Sequence, residues 1–264
     1  MTLDARRTAL WHAMGLGPLW HPRDATVDAV AAPVTAGPTA PTAGVEPASP
    51  AAIKVPVAAR APAGDAATAA LDWPELEQAV AACTACGLCR SRRQTVFGVG
   101  NVRAEWMLIG EAPGAEEDAR GEPFVGQAGK LLDNMLASVG LSREGEDPRR
   151  SVYIANVLKC RPPGNRNPEP AEVAQCEPFL KRQLALVQPR LVLVMGRFAA
   201  QSLLGTDASI ASLRGRVHQV QIDGRQVPVV VTYHPAYLLR NLADKAKSWA
   251  DLCLAREVGE GRNG

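Results

Sequence analysis

Three kinds of residue in this chain carry chemistry at informative spacings. Cys83 and Cys86 form a Cys-x2-Cys pair, and two further thiols, Cys160 and Cys176, bracket a Pro- and Gly-rich loop far downstream. Four thiolates so grouped hold a structural zinc ion or an iron–sulfur cluster. Zinc ribbons usually show a second Cys-x2-Cys that would complete the set with the first; here the distant thiols stand alone, which favours a cluster. Cys86 and Cys89 have the same spacing and make an equally good pair, so the upstream half of the set stays open at this point. Cys253 falls on a helical pattern and reads as an inert core thiol. The other two groups are carboxylates in Gly110-Glu111-Ala112-Pro113-Gly114-Ala115-Glu116-Glu117-Asp118 and the imidazole of Tyr233-His234-Pro235. Together with the amide of Asn156 they form a residue set suited to holding and cleaving a polar heterocycle.

The elements that must position these groups alternate. Trp106–Gly110, Val152–Asn156 and Leu191–Met195 are short apolar runs that read as buried strands. Gln127–Gly140, Glu169–Val187 and Phe198–Leu204 carry helical periodicity. Val217–Ile222 and Val227–Thr232 flank Asp223-Gly224, a hairpin signal, and a last helix is expected from about Ala236 or Asp244 to Glu257. Alternating strands and helices predict a mostly parallel sheet covered on both faces, an α/β/α arrangement. In such sheets ligands bind beyond the carboxyl ends of the strands. Glu111, Asn156 and His234 each follow or end a predicted strand, so three strand ends deliver their groups to one edge. Gly126–Lys130 lacks the glycine and the Ser/Thr of a phosphate loop.

Upstream, the composition changes. Residues 21–70 contain 18 Ala and 8 Pro among 50 positions and no aromatic residue, the composition of a disordered linker. Residues 1–20 carry Leu3, Leu10, Trp11, Met14, Leu16, Leu19 and Trp20 at roughly helical spacing, so a short amphipathic helix that could dock on a protein partner is expected there. Asp72 followed by Trp73-Pro74-Glu75 marks a helix start. The folded domain is expected over 71–258, with a tail at 259–264. The formal charge of +2 over 264 residues argues against a polybasic coat without excluding nucleic acid. No apolar run reaches membrane-spanning length and no secretory leader is evident, so a reducing, cytoplasmic setting is expected; Cys160 and Cys176 are placed to bridge each other or to share a metal, and in that setting the six cysteines read as metal ligands or core thiols in preference to disulfides.

From about Cys83 to Val258 the chain resembles the iron–sulfur uracil-DNA glycosylases known as family 4. The likeness rests on Cys-Thr-Ala-Cys-Gly-Leu, Gly-Glu-Ala-Pro-Gly with Glu117-Asp118, Pro-Phe-Val-Gly-Gln-Ala-Gly, Asn-Val-Leu-Lys-Cys-Arg-Pro-Pro, Cys176 and His-Pro-Ala-Tyr-Leu-Leu-Arg-Asn, in that order. It implies a three-layer α/β/α sandwich, a [4Fe–4S] cluster on Cys83, Cys86, Cys160 and Cys176, and uracil-containing DNA as substrate for a monomeric enzyme. Phe124 would stack on a flipped uracil, Asn156 would read its edge, His234 would donate to O2, and Ala112 would line the pocket. Leu238 would fill the vacated base stack and Arg240 would meet a phosphate. Other uracil glycosylases carry Asp where this chain has Ala112. The water-orienting carboxylate is therefore either dispensable or supplied from elsewhere, with Glu111 and Glu117 as the candidates and Asn165 expected near the water or sugar. Ala112 and Arg161-Pro-Pro-Gly argue against a DNA-crosslinking relative, which has Gln after Gly-Glu and a His-containing insertion. Two other readings are a catalytically silent DNA-binding or polymerase-associated module and an electron carrier.

Overall fold

A computed structural model describes residues 65–261. The amphipathic stretch at 1–20 and nearly all of the Ala/Pro-rich segment lie outside the described residues, as do 262–264. Six strands form one sheet in the order β1-β3-β2-β4-β6-β5. They are β1 (Val99–Gly100), β2 (Trp106–Gly110), β3 (Val152–Asn156), β4 (Leu191–Met195), β5 (Val217–Ile222) and β6 (Arg225–Thr232). The central strands β3, β2, β4 and β6 run parallel, and the edges β1 and β5 run antiparallel. Every residue of β2, β3 and β4 is buried, as expected of strands covered on both faces. The two-residue β1 is too short to carry a periodic signal, and no sequence pattern announces it. Asp223 and Gly224 both take positive φ, 47° and 77°, and close the expected two-residue hairpin, which starts β6 two residues earlier than the apolar pattern indicates.

The helices are α1 (Asp65–Ala69), α2 (Trp73–Ala81), α3 (Ala115–Arg120), α4 (Gln127–Ser138), α5 (Pro170–Val187), α6 (Arg197–Leu204), α7 (Ile210–Leu213), α8 (Pro235–Arg240) and α9 (Lys245–Gly259). Leu131, Leu132, Met135 and Leu136 of α4 join Trp249, Leu252 and Ala255 of α9 against one face of the sheet. Leu180, Leu184 and Val187 of α5 and Ala199 and Ala200 of α6 cover the other. The three-layer architecture is thus present, each layer burying the apolar stripe that its periodicity marks. Of the two starts expected for the last helix, the one near Asp244 matches α9, and the one near Ala236 marks a separate helix, α8, joined to it through a 3-10 turn at Leu242–Asp244.

A third, smaller core lies to one side. Leu76 and Val80 of α2 pack with Leu88, Leu158, Cys160, Cys176 and Phe179. The start of α2 is fixed as its residues indicate: Asp72 Oδ1 accepts from the Glu75 amide and Glu75 Oε2 from the Asp72 amide, each at 2.9 Å. The Ala/Pro-rich segment ends sooner than composition suggests. Residues 65–69 are helical, Thr68 is buried, and Arg182 Nε of α5 donates to the Leu71 carbonyl at 2.6 Å. A chain beginning at residue 72 is therefore expected to melt several degrees below one beginning at residue 65, since it loses a buried side chain and a charged hydrogen bond of about 1.5–3 kcal/mol. Thermal melts of the two truncations check this.

Candidate active site and cysteine centre

Strand register builds the site. Gly110 pairs with Asn156, Ile109 with Val194 and Met195 with Thr232, so the carboxyl ends of four parallel strands finish at one level. The residues beyond these ends line one cleft of about 720 Å³: Glu111 and Ala112 after β2, Asn156 closing β3, Gly196 and Arg197 after β4, Tyr233 and His234 after β6. Glu117, Phe124, Asn165 and Arg240 line that cleft too, and of the expected residues Leu238 does not. The fourth strand end is absent from the sequence-based set, although the strand-end rule applied to Met195 points straight to Arg197.

Asn156 is 2% exposed, and its Oδ1 is a buried acceptor without a protein partner. An unsatisfied buried carbonyl is costly, and a ligand N–H would satisfy it. A Cβ at Gly110 would collide with that Oδ1 and lie 2.7 Å from Phe124 Cζ, so glycine here lets amide and ring meet above the strand. Phe124 has φ of 56°, an uncommon conformation for an aromatic residue. Its carbonyl is pressed against α4, where a Cβ at Gly129 would overlap it. Its ring stacks on His234, centroids 5.3 Å apart.

His234 caps α8. Its Nδ1 accepts from the Ala236 amide at 3.1 Å, which assigns the ring proton to Nε2. Burial pushes its pKa down to about 4; Glu117 pulls the other way and Arg240 adds to the lowering. The imidazole is accordingly neutral near pH 7 and presents one N–H donor on the wall of the cleft.

The two carboxylates differ. Glu117 Oε2 accepts from the Gly114 amide at 3.1 Å, and Oε1 from Val125 at 3.1 Å and Gly126 at 3.4 Å. It ties the start of α3 to the segment carrying Phe124. Glu111 lines the cleft with its pKa raised by burial and partly restored by the Arg197 guanidinium. Asn165, at φ 54°, accepts from Arg161 Nε at 2.7 Å through Oδ1 and so is held within its own loop.

Leu238 requires a correction. It is 1% exposed and packed in the main core, so it has no freedom to enter a base stack. Its neighbour Leu239 is 42% exposed on the same helix, beside exposed Arg240. One residue rotates the side chain about 100° around a helix, and sequence alone does not fix which leucine faces the core.

Cys83, Cys86, Cys160 and Cys176 line a second, separate cavity, and Cys89 lies on it too. Arg92 Nη1 donates to Cys160 Sγ at 3.0 Å, and the Lys159 amide to Cys176 Sγ at 3.4 Å. Burial pushes Cys176 up to about 12 and raises Cys86 and Cys160. Such thiols ionise when a bound cation replaces the lost solvation. Among the described residues no three His, Cys, Asp or Glu side chains close around a single metal ion. The described residues contain no helix long and apolar enough to cross a membrane.

Residues 97–253 match the model of the uracil DNA glycosylase superfamily. The chain belongs to that superfamily. It is 46% identical over 169 residues to a type-4 uracil-DNA glycosylase of Archaeoglobus fulgidus, spanning 62% of this chain and 82% of the relative. It is 38% identical over 188 residues to the type-4 uracil-DNA glycosylase of Pyrobaculum aerophilum, covering 70% and 93% of the two chains. Against the type-4 uracil-DNA glycosylase of Thermotoga maritima the figures are 40% over 173 residues, 65% and 85%. The cleft at the strand ends falls in the region matched to the superfamily, whereas the cysteine cavity is shared: Lys159, Cys160, Gln175, Cys176 and Phe179 lie within that region, and Val80, Cys83, Ala85, Cys86, Cys89 and Arg92 precede it.

The two carboxylates have different surroundings, and substitutions read the difference out. Glu117→Gln puts an NH2 group against backbone N–H groups, so it should loosen the Phe124 segment and raise KM. Glu111→Gln should lower kcat with little effect on KM and remove an acid limb that lies above the ordinary carboxylate pKa of 4.5. Steady-state kinetics across pH check both. Stability has its own signature. The folded pKa of His234 lies below the unfolded value of 6.5, so its contribution is full above pH 6.5 and declines as pH falls toward 4. The loss sums to about 3 kcal/mol, and denaturant melts of wild type and His234→Asn should differ in that window.

Proposed function

We propose that this chain is a DNA-repair hydrolase that removes uracil from DNA by cleaving its N-glycosidic bond, leaving an abasic site and free uracil. The observation that carries the reading is the pairing in one cleft of an unpartnered, buried amide acceptor with a neutral imidazole donor. Uracil in a duplex is hidden, so the nucleotide is flipped into the cleft. Asn156 Oδ1 accepts from N3–H and Nδ2 donates to O4. Cytosine presents an acceptor and a donor in the reverse order and is refused. The Phe124 ring offers the stacking face.

As the bond between C1′ and N1 breaks, its electron pair passes to the base and negative charge grows on O2. His234 Nε2–H donates to that oxygen without giving up its proton. The sugar becomes oxocarbenium-like. Glu111 orients a water toward C1′ and offsets the sugar charge, and the water's oxygen forms the new bond while its proton goes to solvent or to the departing base. Ala112 leaves space there. Glu117 is a positioning residue that holds the Phe124 segment, and Asn165 bounds the cleft from the loop after β3. Arg240 and Arg197 meet backbone phosphates, and Leu239, in place of Leu238, occupies the gap left by the flipped base.

The cysteine cavity fits a [4Fe–4S] cluster on Cys83, Cys86, Cys160 and Cys176. The donor set is all thiol, and two of its sulfurs already accept N–H hydrogen bonds. Bound there, the cluster would supply folding energy by joining α2 to the loop after β3. A glycosylase of this kind acts on intracellular DNA, as a monomer, with the arm upstream of residue 65 available to a protein partner.

Incubating purified protein with a uracil-containing oligonucleotide, then cleaving abasic sites with alkali, tests the activity; intact strands would refute it. Asn156→Asp should admit cytosine, seen as cleavage of cytosine-containing single strands. The purified protein should be brown, with iron and sulfide in about equal amounts. Cys160→Ser and Cys176→Ser should bleach it while Cys89→Ser keeps its colour. Bleaching by Cys89→Ser with Cys83→Ser harmless would instead select the other Cys-x2-Cys pair.

A further inference from the structure

Two tyrosines flank His234 in the chain and line the cleft with it, and an arginine from outside the cleft holds them. The rings of Tyr233 and Tyr237 stack, with centroids 4.8 Å and planes 23° apart. The Arg214 guanidinium lies over the Tyr233 ring, 4.5 Å from its centroid. Arg214 follows α7, and its Nε and Nη2 each sit 2.7 Å from Asp251 Oδ2 of α9. The arginine side chain is 11% exposed and the carboxylate 1%, so the pair is fixed: swinging either partner away would leave a buried charge alone. Tyr237 is tied to the same helix, since its hydroxyl donates to Asp244 Oδ2 at 2.6 Å. Asp244 immediately precedes α9, and Asp251 lies two turns further on, which puts both anchors on one side of that helix. The backbone closes the circuit: the Tyr237 amide donates to the His234 carbonyl at 2.9 Å and the Ala236 amide to its Nδ1 at 3.1 Å.

We propose that Arg214 is a positioning residue that sets the aim of the His234 N–H. The imidazole has one donor, and a donor stabilises growing charge on a leaving base only when it points at the atom where that charge appears. The Phe124 ring stacked on His234 limits tilt of the imidazole but not a slide in its own plane. The second restraint comes from the chain on either side: Tyr233, held by the guanidinium, and the first turn of α8, held through Tyr237. Arginine suits the task because its planar guanidinium meets a carboxylate with its edge and an aromatic ring with its face at once. A lysine in its place would keep the ion pair and lose the plane. The inference rests on the glycosylase reading above and adds to its machinery a residue that does not touch the substrate.

Action through His234 is read by a double-mutant cycle, because a residue that works only through another has nothing left to lose once the other is gone. Single-turnover cleavage of a uracil-containing oligonucleotide should slow about tenfold in Arg214→Lys, while the Kd of the oligonucleotide changes less than about twofold. In a His234→Asn background, which retains a helix-capping side chain, the same change should slow cleavage less than about twofold. A merely structural role would slow both backgrounds alike. An equal loss with and without the imidazole, or no loss in otherwise wild-type protein, therefore overturns the proposal. Should Arg214→Lys fail to fold, Tyr233→Leu, which leaves the pair of Arg214 and Asp251 in place, runs through the same cycle under the same criteria. Wild-type protein that does not cleave uracil-containing DNA would refute the underlying reading instead, so the two failures are distinguishable.

Discussion

Parallel pairing in register is the constraint on which the molecule depends. Because Gly110, Asn156, Met195 and Thr232 end at one level, four segments far apart in the chain leave the sheet side by side. Backbone hydrogen bonds, fixed before any side chain is considered, set the distances among Glu111, Asn156, Arg197 and His234. A slip of one residue between β2 and β3 would turn Asn156 to the opposite face and bury its amide in the α5 layer. The helices on both faces make such a slip costly, since every residue of these strands is packed.

The rest of the cleft is held by local devices laid over that frame. Glu117 gathers three backbone amides, Gly129 lets the Phe124 carbonyl approach α4, and the Ala236 amide sets the tautomer of His234. None of these is a strong interaction alone. Their joint effect is to present an aromatic face, an amide and one N–H donor in fixed relation, which is where a site of this kind derives its selectivity.

Much of this is legible in the residues. Apolar runs of five mark β2, β3 and β4, the Asp223-Gly224 signal marks the hairpin, and the strand-end rule brings Glu111, Asn156 and His234 together. The illegible parts have physical causes. A two-residue strand has no period, so β1 leaves no trace. Composition cannot tell where an Ala-rich segment begins to pack, so α1 reads as linker until the contacts of Thr68 and Leu71 with the domain are seen. Adjacent leucines on one helix are equivalent to any pattern that asks only whether a residue is apolar, so the pattern does not tell that Leu238 is buried and Leu239 exposed. Glu111 and Glu117 are the same residue type six positions apart; only the amides around the second reveal that it is engaged in holding backbone.

The neutral state of His234 bears on how a bound product would leave. An imidazolium would form an ion pair with an anionic base in a partly closed cleft, and separating such a pair means resolvating both charges. An uncharged N–H donor stabilises the same oxygen through a dipole. Once the free base takes up a proton from water the charge is gone, and only an ordinary hydrogen bond that water can replace is left. On the proposed function, the burial that lowers the basicity of this histidine would give the site an exit as well as an entrance: its strongest hold would coincide with the moment of charge and relax when that moment has passed.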